Sequence, residues 1–314
     1  MDTVFIVNPS AGCGKAAKAF DELRPSLRSY FPRAETWMSQ RQGHVRELAR
    51  KAAENGVAQV VAVGGDGTIN EIVNGLFANK KAVNPKLVLG ILPLGTGSDF
   101  ARSLGVSRKP LDALKILASG KRQAIDVGYA SLVDNNARKQ DYYFINVLSL
   151  GIGAEVAYAS NQSSKWAGPF LSYPINTVKC IFSFRLKVAT VKSSDNDSLY
   201  SGTISELAIA NGKYYGGGML IAPQAQLNDG KLQVVLIKGM SKPQLLFNLS
   251  SLFSGAHIRK HFTLVSECTW LEAESNESML VEADGESPGG LPLRVECLKE
   301  ALQVIVGDSP SLQV

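Results

Sequence analysis

Chemistry is first suggested by a glycine-rich turn, Gly64–Thr68 (GGDGT), in which one acid stands among residues that leave the backbone accessible. The apolar run Val60–Val63 precedes this turn and the helical pattern Ile69–Leu76 follows it, which predicts a strand that turns into a helix. Glycines and a helix N-terminus together favour a phosphate group. The carboxylate of Asp66 is useful there if it holds Mg²⁺ or orients an attacking hydroxyl. On spacing alone, an ordinary capped turn explains the pattern equally well.

Two further loops of the same kind follow predicted strands. The first is Asn8–Lys15 (NPSAGCGK) and the other is Pro93–Arg102 (PLGTGSDFAR). The first loop is not a Walker A motif, because Pro9 replaces its first glycine and Ala16 its Ser or Thr. The carboxyl ends of parallel strands meet at one edge of a sheet, so the three loops predict one shared phosphate and metal site.

The elements around these loops predict two domains. Strands Val4–Val7, Ala34–Met38, Gln59–Val63 and Val88–Leu92 alternate with helices Ala16–Leu27 and Gly43–Asn55, which favours a parallel α/β sheet. After Gly120 the pattern becomes β-rich, with turn residues between short apolar stretches, and predicts a sandwich. The stretches are Ala124–Ala130, Tyr142–Leu150, Lys187–Val191, Gly202–Ala210, Leu232–Lys238, Phe262–Leu271, Met279–Ala283 and Pro292–Glu296. Helices are predicted around Trp166–Phe184 and Lys242–Phe253.

Composition narrows the class of protein. The chain has 314 residues, 45% of them apolar and 19% charged, and a net charge of +5, which weakly favours an anionic partner but not nucleic acid in particular. The four cysteines form no C-x-x-C pair, so neither zinc nor a disulfide framework is predicted. Met1–Val7 carries no signal-peptide pattern and no apolar window reaches the ~18 residues of a membrane span, which predicts a cytoplasmic protein. His257 and His261 are predicted to lie on the solvated surface.

The three loops together resemble the diacylglycerol kinase catalytic family, which includes soluble bacterial diacylglycerol and lipid kinases and the sphingosine kinases. The GGDGT turn alone is shared with NAD kinases and phosphofructokinases, whereas Asn8–Gly12 and Pro93–Ala101 are typical of the lipid kinases. One departure is Ser98, where the family usually has Asn. The resemblance implies a nucleotide-binding domain of residues 1–121, completed by 301–314 through a returning strand Ala301–Val306, and a lipid-kinase domain of residues 122–300.

The resemblance also implies site residues. ATP would lie against the following positions of the first domain: Asn8, Pro9, Ser10, Ala11, Gly12, Ser39, Gly64, Gly65, Asp66, Gly67, Thr68, Ile69, Asn70, Thr96 and Asp99. The implied catalytic acids are Asp66, Asp284 and Glu286, with Glu286 accepting the proton of the lipid hydroxyl. A structural Mg²⁺ would be held by Asp229 and by main-chain oxygens near Gln226 and Lys231. The acidic stretches of the second domain are Asn228–Leu232 and Glu282–Glu286. By pattern alone, both are hairpin turns.

The resulting hypothesis is a lipid kinase that transfers the γ-phosphoryl group of ATP, with diacylglycerol as the expected acceptor. A sphingoid-base kinase, an NAD kinase and a nucleotide- or lipid-binding regulator without activity remain alternatives. Expected partners are the lipid, a transiently contacted membrane surface and a second copy of the chain in a homodimer, but no nucleic acid. Trp166–Phe184 could dock on an anionic bilayer or line an acyl groove, or it could simply cover the sandwich.

Overall fold

The computed structural model describes residues 2–134, 136–162 and 177–307, and for Gln162 only the backbone. Most of the predicted Trp166–Phe184 helix therefore lies outside the described residues. The chain divides into two compact units, one formed by Met1–Ile125 with Glu300–Val314 and the other by Asp126–Lys299. The last strand of the chain thus contributes to both units.

Unit 1 is an α/β domain around a parallel sheet, as predicted. Four strands lie in the order β2 (Glu35–Met38), β1 (Thr3–Val7), β3 (Gln59–Gly64) and β6 (Val88–Pro93). Gln303 and Val304, at the end of β16 (Glu286–Ile305), pair in parallel with β6. The strands that carry the three loops are buried except at Gln59, which explains their continuous apolar runs. The elements are β1 Thr3–Val7, α1 Ala16–Glu22, α2 Arg24–Tyr30, β2 Glu35–Met38, α3 His44–Glu54, β3 Gln59–Gly64, α4 Asp66–Leu76, β4 Phe77–Ala78, β5 Lys81–Ala82, β6 Val88–Pro93, α5 Asp99–Ser103 and α6 Pro110–Ser119.

The single helix predicted over Ala16–Leu27 is wrong, because two helices occupy this stretch. Helix α1 ends at Glu22 and α2 begins at Arg24, with Pro25 in the first turn of α2. Proline has no N–H and clashes with the preceding turn, so a helix can start at this residue but cannot continue through it.

Unit 2 is the predicted β-rich domain, built almost entirely from antiparallel pairs. Strand β11 pairs with β9, β10 and β12, while β14 and β15 both pair with β16. The elements are β7 Arg122–Val133, β8 Lys139–Phe144, β9 Val147–Gly151, α7 Ile152–Gln162, α8 177–183, β10 Lys187–Ser193, β11 Asn196–Ala210, β12 Leu232–Lys238, α9 Lys242–Ser254, β13 Thr263–Cys268, β14 Trp270–Glu274, β15 Leu280–Ala283 and β16 Glu286–Ile305. Their inward-facing side chains form one large apolar core.

Two features of unit 2 differ from the sequence pattern. The stretches Tyr142–Leu150 and Phe262–Leu271, each predicted as one strand, are divided between β8 and β9 and between β13 and β14. Helix α7 was not predicted, since its sequence carries only a weak apolar periodicity. No helix among the described residues has both the length and the apolar character needed to cross a bilayer.

Candidate active site

The GGDGT turn and the third loop of unit 1 are joined by the carboxylate of Asp66. Its Oδ2 accepts the N–H of Asp99 and its Oδ1 accepts the N–H of Phe100, both at 3.1 Å. These two donors stand at the start of α5, where N–H groups have no partner within the helix. Asp66 therefore fixes the third loop beside the glycine turn, and it does so through the side chain predicted to manage phosphate charge.

The first loop is attached to the same turn by Asn8. Its Nδ2 donates to Oγ1 of the buried Thr68 at 3.1 Å, and its Oδ1 accepts the N–H of Ser10. Ser39 lies on the opposite side of β1, with its N–H donated to the carbonyl of Val7 at 2.9 Å. The three loops and Ser39 thus gather at one edge of the unit 1 sheet, where the sequence predicted a shared site.

The glycines allow the loops to approach one another. A Cβ atom on Gly95 would lie 2.3 Å from Cα of Gly65, and one on Gly12 would lie 2.7 Å from the carbonyl oxygen of Leu94. Both distances are far below van der Waals contact. The sequence predicted that the glycines of the GGDGT turn leave room for a phosphate, whereas Gly95 and Gly12 allow one loop to pack on another.

The remaining predicted ATP residues differ in exposure. Pro9, Ala11 and Gly12 are half-buried and Ser10 is exposed, whereas Ile69 and Asn70 are buried on α4. Thr96 is exposed, and its carbonyl oxygen accepts a hydrogen bond from Nη2 of Arg108 at 2.9 Å. Arg108 was not singled out from the sequence, since a lone basic residue after the motif carries no signal of its own.

Ser98, the position at which the sequence departs from the resemblance, has a left-handed backbone conformation. Its φ is 58°, in the left-handed region, and the side chain is buried. Asparagine tolerates this region better than most residues with a side chain. Oγ of Ser98 has no hydrogen-bond partner among the described residues.

In unit 2, Asp284 occupies the turn between β15 and β16 and is nine-tenths buried. Oδ1 accepts the N–H groups of Asn146 and Val147, both at 3.0 Å, and Oδ2 accepts that of Ile145 at 2.9 Å. This carboxylate takes the place of a strand partner at the break between β8 and β9. Its contacts are those of a residue that holds the turn, two positions before Glu286.

Glu286 begins β16, half-buried, directly after Gly285. Two other acids, Glu206 and Glu282, are fully buried nearby. Burial raises the pKa of Glu282 to about 8 and that of Glu206 to about 7. Oγ of Ser149 donates to Oε2 of Glu282 at 2.8 Å, and the hydroxyl of Tyr215 donates to Oε1 of Glu206 at 3.1 Å. Sequence reasoning missed this pair, although an acid within an apolar strand is a visible signal.

The predicted metal residues lie in one exposed turn. Oδ1 of Asp229 accepts the N–H of Lys231 at 2.9 Å, and the buried Asp126 accepts the N–H of Gly230 through Oδ2 at 2.6 Å. The metal ligands expected here are the carboxylate of Asp229 and main-chain oxygens near Gln226 and Lys231. Hard oxygen ligands of this kind fit Mg²⁺. No group of three His, Cys, Asp or Glu side chains suited to a metal occurs in the described ranges.

Unit 2 also contains an apolar pocket between α7, α8 and α9, with about 640 Å³ of empty space including its open mouth. The lining is largely aliphatic and aromatic: Ile152, Val156, Ile181, Tyr215, Met219, Ile237, Met240, Leu245, Leu249, Leu252 and Phe262, with Glu206 and His257 as its ionisable groups besides Tyr215. The prediction that His257 is solvated is wrong. It is 1% exposed, and its ring nitrogens face the carbonyl oxygens of Ser251 and Ile221.

Comparison with known proteins agrees with this architecture. Residues 2–130 match the diacylglycerol kinase catalytic domain, and residues 146–306 match the YegS C-terminal NAD kinase beta sandwich-like domain. The fold and the family match define a phosphotransferase with an alcohol group as acceptor. The chain belongs to the diacylglycerol kinase catalytic family and is a lipid kinase that uses ATP as co-substrate, which confirms the predicted family and fold class.

Individual relatives show how far the similarity extends. A "Probable lipid kinase YegS-like" of Serratia proteamaculans is 32% identical over 96% of this chain and 92% of its own, and one of Chromohalobacter salexigens is 30% identical over 91% and 86%. A diacylglycerol kinase structure from Bacillus anthracis has a TM-score of 0.71 at 21% identity, covering 98% of this chain and 97% of its own. Yeast NADH kinase reaches 0.55 at 13% identity, covering 99% and 85%, and shares the fold alone.

Proposed function

We propose that the protein transfers the γ-phosphoryl group of ATP to the hydroxyl of diacylglycerol, giving phosphatidic acid. The observation that carries the nucleotide half of the proposal is the joining of three loops by Asp66, Asn8 and Thr68 at one edge of the unit 1 sheet. Parallel α/β sheets bind nucleotides at this edge. ATP would lie along these loops, with its phosphates near the start of α4.

The acids have separate roles in this proposal. Asp66 and Asp99 manage the charge of the phosphates, and Glu286 accepts the proton of the attacking hydroxyl. Asp284 holds the turn that presents Glu286, because its oxygens are engaged by three backbone N–H groups. Mg²⁺ neutralises phosphate charge in such reactions, while Asp229, Gln226 and Lys231 are proposed to hold a separate structural ion.

The acceptor half rests on the pocket of unit 2. Its lining is suited to one hydrocarbon chain, which a soluble dinucleotide does not have. This favours a lipid over NAD as acceptor. Diacylglycerol, a monoacylglycerol and a sphingoid base all combine a chain with a primary hydroxyl, and we select diacylglycerol because the family match is to diacylglycerol kinases.

The test is transfer of label from γ-labelled ATP, with Mg²⁺, to diacylglycerol, sphingosine or monoacylglycerol in mixed micelles, with NAD assayed separately. We expect label in phosphatidic acid. Label only in NADP would make the protein an NAD kinase, and ATP binding without any transfer would favour the regulator.

Matched variants test the assigned base. Glu286→Gln should lower kcat by at least about 100-fold, because general base catalysis contributes this much or more. Glu274→Gln, at an exposed position of β14, should leave kcat unchanged. Normal turnover of Glu286→Gln would refute the role of this carboxylate.

We further propose that the enzyme is cytoplasmic and visits an anionic membrane through α8 and α9. Phe247 is 86% exposed and Phe182 60%, and Lys242 donates to the carbonyl oxygen of Phe182, which joins the two helices. Residues 238–262 include four Lys or Arg and no Asp or Glu. Exposed aromatic side chains beside basic ones suit a bilayer with negative headgroups.

Vesicle sedimentation tests this surface. Phe182→Ser with Phe247→Ser should lose most binding to vesicles containing phosphatidylglycerol, whereas Leu111→Ser, at a leucine 52% exposed in unit 1, should bind as the wild type does. Equal binding of both variants would refute the surface. The proposed homodimer is tested by sedimentation velocity, in which a single species near 33.7 kDa would contradict it.

A further inference from the structure

The peptide unit of Gly285, directly before Glu286, is held from both sides. Its N–H donates to Oε1 of Glu282 at 2.5 Å, and its carbonyl oxygen accepts a hydrogen bond from Nδ2 of Asn161 at 3.0 Å. Gly285 has a φ of 91°, which only glycine adopts readily. Since a glycine backbone has many accessible conformations, these two contacts restrict where the following side chain points.

The acid on one side of this peptide has a second hydrogen bond, because Ser149 donates its single hydroxyl proton to Oε2 of Glu282 at 2.8 Å. Glu206 is another buried acid, and its Oε2 accepts the N–H of Gly153 at 2.8 Å. Glu282 therefore fixes the turn before Glu286, and Glu206 fixes the start of α7.

Helix α7 contacts the other side of the Gly285 peptide. Ile152, Gly153 and Val156, in its first half, line the apolar pocket, while Asn161 near its end holds the carbonyl of Gly285. One helix thus contacts both the pocket and the turn. A chain lodged in the pocket would pack against its first half and favour the position in which Asn161 reaches Gly285.

We propose that α7 couples occupancy of the pocket to the placement of Glu286, with Asn161 and Glu282 as positioning residues. The proposal rests on Glu286 being the base. Its consequence is that a lipid with a long chain raises kcat as well as affinity, because binding energy from a remote part of the substrate is used to order the reacting group. A short-chain lipid would leave α7 less ordered and would react more slowly.

The decisive variant is Asn161→Leu, which keeps the size of the side chain, removes the N–H donor and replaces Asn by a better helix former. We expect kcat with the long-chain substrate to fall about 5- to 10-fold, the equivalent of one hydrogen bond, with KM for ATP unchanged within about 2-fold. The unfolding midpoint should stay equal or rise. The ratio of kcat values for long-chain and short-chain lipid should fall towards one.

Glu282 provides a second, conservative test. Glu282→Gln retains an oxygen for the N–H of Gly285 and should keep most of kcat near neutral pH, whereas Glu282→Leu should lose it. An unchanged chain-length ratio in Asn161→Leu, or equal kcat in the Gln and Leu variants, would overturn the coupling. Glu286→Gln separates the two proposals: if it is inactive while Asn161→Leu behaves as wild type, only the coupling fails, and if it is active, the assigned base fails.

Discussion

Replacing Glu282 by Gln should change how the stability of unit 2 depends on pH. Glu282 is 4% exposed, and Glu206, another buried acid of unit 2, is 2% exposed. Desolvation disfavours the charged form of a buried acid, so it raises the pKa of Glu282 to about 8 from its ordinary 4.5. Glutamine has the same shape and no charge.

The sign and the size of this pH dependence follow from linkage between protonation and folding. A group whose pKa is higher in the folded state contributes stability that is complete below its unfolded pKa and is lost as pH rises through the folded one. Between about pH 5 and about pH 8, Glu282 should lower the free energy of unfolding by on the order of 3 kcal/mol, at about 1.4 kcal/mol per pKa unit. In Glu282→Gln, the free energy of unfolding should lack this part of its decline with pH. The decline that remains should come from Glu206, whose pKa is also raised.

Urea unfolding across this pH range measures the effect. Trp270 lies in unit 2, so its fluorescence reports that unit once Trp37 and Trp166 have been replaced by Phe. Glu54→Gln, at an exposed position of unit 1, is the matched control and should leave the pH dependence unaltered. Parallel curves for wild type and Glu282→Gln would show that Glu282 is ionised in the folded protein at neutral pH and would refute the reasoning.

Three further changes test the loops and the turn. Gly95→Ala would place a Cβ 2.3 Å from Gly65, so it should raise KM for ATP at least about tenfold through loop displacement, as steady-state kinetics would show. Ser98→Asn should raise the free energy of unfolding of unit 1 by about 0.5 kcal/mol in urea melts, since asparagine tolerates the left-handed backbone better. Asp284→Asn should destabilise unit 2 by about 2–4 kcal/mol by Trp270 fluorescence, because an amide turns an N–H₂ towards backbone donors. If any of these substitutions had no effect, the structural reason given for it would be contradicted.

Much of the fold could be predicted because local signals agreed with it. Buried parallel strands require continuous apolar runs, and Leu232–Lys238 was predicted with the bounds that the structure has. Boundaries failed where a long-range contact decided them. At the break between β8 and β9, backbone N–H groups are bound by Asp284, more than 130 residues further along the chain, and no local pattern near Ile145 predicts this contact.

The candidate site shows the same division. The three loops and the family resemblance identified Asp66 and Glu286 as residues to test, because glycine turns and acids have characteristic spacings. Spacing could not predict the two hydrogen bonds of Asp66 to the start of α5. It also could not predict the hydrogen bonds of Asn161 and Glu282 to the peptide of Gly285. Each joins segments that are distant in sequence.

The sequence by itself determined the class of the protein: an α/β unit with phosphate-type loops, a β-rich unit and the lipid-kinase family. Residue type and local order are sufficient for this, because backbone conformation and apolar periodicity are local properties. Only the tertiary structure decided that His257 is buried in the pocket, that Glu206 and Glu282 are buried, and that Ser149 donates to Glu282. Burial and hydrogen-bond partners depend on which distant strands and helices pack together, and a linear pattern does not contain that information.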